Sequence, residues 1–164
     1  MTDSTKKLTI LSLYTAVSLG IFVLESMLPP IVPIPGIKHG LANIITLIVL
    51  MKYTGRDALL VTICRILLAT FCTGNAQSFL YSIAGGLLSL AMMIIVNKLL
   101  SGNYIYITSI IGSIFHNIGQ ILIAIFVTST PMVATYLPVL ILSGIITGVF
   151  TGFCAYYTGA RIKR

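Results

Sequence analysis

The chain has 164 residues, 57% of them hydrophobic and 8% charged, with a mean hydropathy of +1.07 and a formal net charge of +7. An ordinary soluble domain is about 25% charged, so this composition excludes a soluble globular surface and leaves one integral membrane domain. The excess of positive charge does not indicate a nucleic-acid partner, because the basic residues lie between apolar segments and at the ends, without a basic face or interleaved aromatics.

Apolar stretches run over 8–28, 37–52, 58–73, 77–97, 104–128 and 134–158, and a membrane-crossing helix needs about 20 residues. The first stretch follows Lys6 and Lys7 and carries no small-residue cleavage site, which predicts a retained helix and not a signal peptide. On it Ser12, Ala16 and Gly20 recur every four residues, a spacing that lets backbones approach closely where lipid supplies no hydrophobic drive. This stripe is the candidate surface for a second membrane protein.

The first stretch ends at Glu25, and Pro29, Pro30, Pro33, Pro35 and Gly36 follow. Proline has a fixed φ and no amide hydrogen, so 29–36 reads as an extended, kinked connection. Glu25 stands on one shoulder of it and Lys38 and His39 on the other. A stiff loop bracketed by ionisable groups at a membrane boundary has the character of a binding-site lip, with 29–37 as its lid.

The second and third stretches are short, and either two tilted spans or a re-entrant pair would accommodate them. Charge decides between these. With the N-terminus in the cytoplasm and six crossings, the inner side receives Lys6, Lys7, Lys52, Arg56, Lys98, Arg161, Lys163 and Arg164, whereas 29–36, 73–76 and 129–133 contain no Lys or Arg. That is the asymmetry the positive-inside rule demands. A re-entrant pair would instead strand Lys52 and Arg56 at membrane depth. The expected fold is an all-α, six-helix transmembrane bundle with both termini cytoplasmic, and the expected location is a cell membrane.

In the fourth stretch, Gly85-Gly86 with Ser82 and Ser89 nearby marks a close helix crossing. In the fifth, Ser109, Ser113, His116, Asn117 and Gln120 fall at i, i+4, i+7, i+8 and i+11, one polar face of one helix. In the last, Gly144, Gly148 and Gly152 form a second small-residue stripe, suited to packing inside the bundle.

Ionisable groups within the bilayer are candidates for function by default. Here they are Glu25, Lys38, His39, Arg65 and His116, with the amides Asn43, Asn117 and Gln120. The predicted topology brings them to the outer half of the bundle, beneath the proline loop. Two fixed cations against one carboxylate leave a positive surplus, which suits an anionic solute, with the forked guanidinium of Arg65 as its partner. The same groups could instead lock the fold, with Glu25 paired to Lys38 or Arg65 and the amides bonded across helices.

Phosphate-loop, nucleophile-elbow, zinc-protease and dinucleotide signatures are missing. The acidic residues number three, too few for a magnesium-diphosphate site. Cys64, Cys72 and Cys154 are isolated in apolar sequence, without ligand spacing. No catalytic residue, metal or cofactor is expected.

Taken together, Glu25-Ser26-Met27-Leu28-Pro29-Pro30, Val32 to Lys38, Gly40-Leu41-Ala42-Asn43, Arg56-Asp57-Ala58, Arg65, Ser78 to Ser89, His116 to Gln120 and Tyr136 to Gly148 resemble a bacterial membrane family. That family is named both heptaprenyl diphosphate synthase component I and Gx transporter, and the resemblance covers roughly 10–155. It is in turn similar to the substrate-binding S-components of energy-coupling-factor (ECF) transporters. The latter likeness implies capture of a micronutrient from outside, with uptake driven by a membrane coupling subunit and two ATPases. The partner motif of S-components is Ala-x-x-x-Ala, and here it reads Ser12-x-x-x-Ala16. With no aspartate-rich magnesium site, no ATPase signature and small residues on the first helix, the expected function is that of an S-component, capturing a small anionic solute from outside. The alternative, implied by the synthase name, is a membrane accessory to a catalytic subunit of isoprenoid diphosphate synthesis, with a lipid-facing apolar slot. A third expectation, a scaffold for a membrane redox or flavin complex, implies tightly packed polar groups.

Overall fold

The computed structural model describes residues 3–28, 38–100 and 104–161, with the side chains of 160 and 161 excepted. The described residues form six α-helices and no strand: α1 Asp3–Ser26, α2 Asn43–Lys52, α3 Gly55–Thr73, α4 Ala76–Leu99, α5 Ile105–Thr128 and α6 Leu137–Arg161, with a 3-10 segment, Pro131–Tyr136, before α6. Four stretches are long and apolar enough to cross a membrane: α1, α4, α5, and the 3-10 segment with α6. The chain is a multi-pass membrane protein. The remaining two helices are of another kind. α3 has 19 residues but carries Arg56, Asp57 and Arg65, and α2 has 10, about 15 Å of helix against a hydrocarbon core of about 30 Å.

The start of α2 differs from the expectation of a helix from 37. Residues 38–40 are not helical. Gly40 has φ +81, and its N–H donates to Glu25 Oε1 at 2.6 Å instead of to a helical carbonyl. The helix therefore begins at Asn43, and Lys38 and His39 lie in the segment leading to it. The lid, 29–37, falls outside the described residues.

α2 is the buried centre. Asn43 and every residue from Ile45 to Leu50 are inaccessible, and the helix packs against α1, α3, α4 and α6. Around it the others follow in the order α1, α3, α4, α5, α6, the closest associations being α4 with α5 and α5 with α6. Glycine makes the last of these possible. A Cβ on Gly148 would lie 2.5 Å from Ile110 Cα, and one on Gly144 would lie 3.1 Å from Ile114 Cα. The stripe on α6 is thus used inside the bundle. That on α1 is not: Ser12, Ala16 and Gly20 are all exposed, and a Cβ on Gly20 would meet nothing within 4 Å.

The two ends of the bundle differ in charge. Thr54 caps α3 in a reciprocal box with Asp57, and Asp57 also pairs with Lys7 of α1 at 2.8 Å. The Lys7 ammonium lies 6.0 Å from the Tyr53 ring centroid. α1 and α3 therefore start at the same end, where Arg56 and Lys98 share one groove. At the opposite end Asn75 caps α4 by accepting from the Ser78 N–H at 3.1 Å, and Gly74 closes α3 with φ +62.

Substituting Gly148 with Ala forces α5 and α6 apart and is expected to destabilise the protein by about 1–3 kcal/mol. Gly20→Ala, on an open helix face, is expected to be neutral or stabilising by up to about 1 kcal/mol. Thermal unfolding of the two variants in the same detergent measures the contrast.

Candidate functional site

A polar cluster is buried in the half of the bundle away from the Lys7 end. Glu25 from α1, Asn43 from α2, Arg65 from α3, and His116, Asn117 and Gln120 from α5 are all buried, while Lys38 and His39 in the segment before α2 are partly so. The sequence-predicted groups do share one level of the bundle. None of them lines either of the two grooves described below.

Glu25 is 3% exposed, and its carboxylate accepts from backbone, the Gly40 N–H. Neither Lys38 nor Arg65 comes within ion-pair distance of it among the described residues; the two ion pairs resolved there are Lys6–Asp3 and Lys7–Asp57. The cations instead share an aromatic ring. Lys38 Nζ lies 3.4 Å from the centroid of Phe22, and Arg65 Cζ lies 5.8 Å from it. Phe22 is one helical turn before Glu25, so α1 offers the ring and the carboxylate from one face.

Arg65 is 3% exposed, and its Nε and Nη2 have no hydrogen-bond acceptor among the described residues. Its guanidinium runs past α4 at Gly86, where a Cβ would stand 3.7 Å from Nη2. A buried guanidinium short of acceptors is unfavourable by several kcal/mol, and a further hydrogen-bond acceptor would relieve it.

His116 sits between two glycines. A Cβ on Gly40 would come within 2.8 Å of the ring, and one on Gly85 within 2.9 Å, so no side chain other than hydrogen is compatible with the imidazole at either place. Its Nε2 lies 3.1 Å from Gln120 Nε2. That contact is a hydrogen bond when the amide donates to a neutral ring protonated on Nδ1. Nδ1 then faces the Gly85 backbone without an acceptor in hydrogen-bond geometry. Gln120 Oε1 accepts from the Lys38 N–H at 3.3 Å, so one amide ties α5 to the entry of α2.

The remaining groups serve the helix interfaces. Asn43 Nδ2 donates to Ser89 Oγ at 3.4 Å, and Thr46 and Thr62 bond at 3.1 Å one turn further on. Asn117 Nδ2 donates to the Leu140 carbonyl at 2.6 Å, which directs it towards α6 and away from Arg65, and its Oδ1 is unpartnered. His39 is half-buried in the segment before α2. Phe22 and the role of Gly40 were not signalled by the sequence, since an aromatic within an apolar helix and a glycine after a histidine are both unremarkable there.

Two open grooves lie elsewhere. One, of about 570 Å³, runs between α3 and α4 and is lined by Thr54, Gly55, Arg56, Leu59, Leu87, Leu90, Ala91, Ile94 and Lys98. The other, of about 450 Å³, lies between α4 and α5 and is wholly apolar, from Ala84 to Ala91 on one wall and Gly119 to Ile123 on the other.

A helical, multi-pass membrane bundle with a polar cluster buried at one level is the class that these elements define. More particularly, the chain belongs to the family described as heptaprenyl diphosphate synthase component I, whose sequence model matches residues 14–158. No curated protein and no solved structure matches it.

Replacing Glu25 with Ala removes the acceptor of the Gly40 N–H and the carboxylate nearest two cations. A loss of about 1.5–3 kcal/mol is expected from the charged hydrogen bond alone. Glu25→Gln, which keeps an acceptor, should lose less. Chemical or thermal unfolding in detergent reads both, and equal effects would show that the Gly40 contact is not what Glu25 supplies.

Proposed function

We propose that this chain is the membrane-embedded, non-catalytic component of a two-component polyprenyl diphosphate synthase, acting with a separate catalytic subunit. The observation that carries this reading is membership of the component I family over nearly the whole chain. The carboxylates agree with it. Condensing isoprenoid diphosphates calls for several carboxylates around magnesium and phosphate, and the three here stand apart. Asp57 is bound to Lys7, Glu25 to the Gly40 N–H, and Asp3 lies in the first turn of α1. The chemistry then falls to the partner, and this chain supplies a membrane site. Membranes containing this chain, mixed with the soluble subunit of the same host, should incorporate labelled isopentenyl diphosphate into long-chain product at least tenfold faster than either alone. Unchanged incorporation would remove the reading.

The bundle is oriented, on this reading, with its Lys7, Arg56 and Lys98 end in the cytoplasm of a bacterium and six helices in the membrane. Thr130, exposed beyond the far end of α5, then faces outwards. With Cys64, Cys72 and Cys154 replaced by Ser, a Thr130→Cys variant is expected to react with a membrane-impermeant maleimide in intact cells. Labelling only after lysis would reverse the orientation.

One observation favours a second reading. The unpartnered guanidinium of Arg65, beside Lys38 and beneath the entry to α2, suits capture of a small anionic solute from outside, as in an ECF S-component working with a coupling subunit and two ATPases. Glu25, Lys38, Asn43, His116 and Gln120 would surround it. Native mass spectrometry of gently purified protein should then find a bound anion that is lost in Arg65→Ala. Retention of the same ligand in that variant, or a ligand-free protein, would count against capture.

A further inference from the structure

The two grooves flank α4 and share Leu87 and Ala91, one turn apart on it, so an apolar surface track runs over α4 from its α3 side to its α5 side. From Lys98 to Ala84 the track spans about 21 Å of helix. Small residues mark its course: Gly55 at the mouth, Ala91 at the crossing, Ala84 and Gly119 at the far end, with leucines and isoleucines as walls. Its two charged residues, Arg56 and Lys98, are both at the mouth, exposed and without ion-pair partners among the described residues. The mouth also holds the first turn of α3. There the Asp57 and Ala58 N–H groups are used by Thr54, while those of Gly55 and Arg56 precede the first intrahelical bond. The carboxylate of Asp57 is neutralised by Lys7.

We infer that this track is the binding site of a single-chain isoprenoid diphosphate, its head held by Arg56 and Lys98 and its tail laid across α4. The inference rests on the synthase-component reading and supplies its substrate site. Charge complementarity sets the head: two cations beside a helix N-terminus, at one end of an otherwise uncharged track, match a group with two or more negative charges. Shape sets the tail. A diacyl phospholipid presents two chains that run together along the bilayer normal, whereas a path that turns across a helix at Ala91 suits a single flexible chain.

The test uses the full chain in phosphatidylcholine nanodiscs, titrated with tritiated geranylgeranyl diphosphate. Saturable binding is expected at one molecule per chain, weakened at least tenfold by Arg56→Ala with Lys98→Ala, and separately by Ala91→Phe, which fills the crossing. Ala91 is exposed, so the second variant blocks the track without entering the core, and gel filtration reports the fold of both. Non-saturable uptake, or affinity unchanged in both variants, overturns the inference. So does displacement by an equal concentration of phosphatidylglycerol, which would make the track a general anionic-lipid site. Combined with the synthesis assay, the two ideas separate. Tight binding without stimulated synthesis keeps the track and rejects the subunit reading; stimulation that survives both groove variants does the reverse.

Discussion

Within a bilayer every backbone amide needs a partner, because no water is there to supply one. At Gly40 the partner is a side chain from another helix. The carboxylate of Glu25 accepts that N–H at 2.6 Å, and the course of the chain into the centre of the bundle depends on it. Because the bond is made, residues 38–40 do not extend α2, and Gly40 turns with positive φ. The turn lays the glycine backbone against His116. The imidazole and Gln120 then fix the Lys38 N–H from the other side. One carboxylate thereby organises contacts among α1, the entry to α2, and α5.

That use of Glu25 leaves the cations to find other company. Lys38 and Arg65 both approach Phe22, whose ring attracts positive charge through its quadrupole. The attraction is worth about 0.5–2 kcal/mol, less than the several kcal/mol of desolvation that a buried guanidinium suffers. The ring therefore offsets only part of what burial costs Arg65. The track on α4 has the opposite design. Its charges are at the surface, where solvation costs little, and its interior is apolar.

The helices, the polar face of α5 and the segregation of basic residues were legible because each rests on a period or a sign that one strand of sequence displays. His116, Asn117 and Gln120 fall on one face by spacing alone, and they are buried together. The beginning of α2 was not legible. The apolar stretch after the prolines reads as helix from 37, but Gly40 takes positive φ and gives its N–H to Glu25, a long-range bond that spacing along the chain does not display. Phe22 was hidden for a related reason: its role comes from Lys38 and Arg65, which are brought to it by folding. The glycine pair on α4 was read correctly as a close approach, but what approaches Gly85 is an imidazole as well as a backbone. Depth could be derived from topology, because each group's distance along its helix is a count of residues.

The position of α2 also bears on the order in which the bundle is assembled. A ten-residue helix with buried Asn43 and Thr46 is poorly suited to stand alone in lipid, and two of its walls, α4 and α6, are encoded after it. α6 begins at Leu137, 85 residues beyond Lys52. At a synthesis rate of about 5–20 residues per second, that wall arrives about 4–17 s later. Through that interval the segment must wait at the insertion machinery or at the membrane surface, so the core of this protein is laid in place after the helices that enclose it.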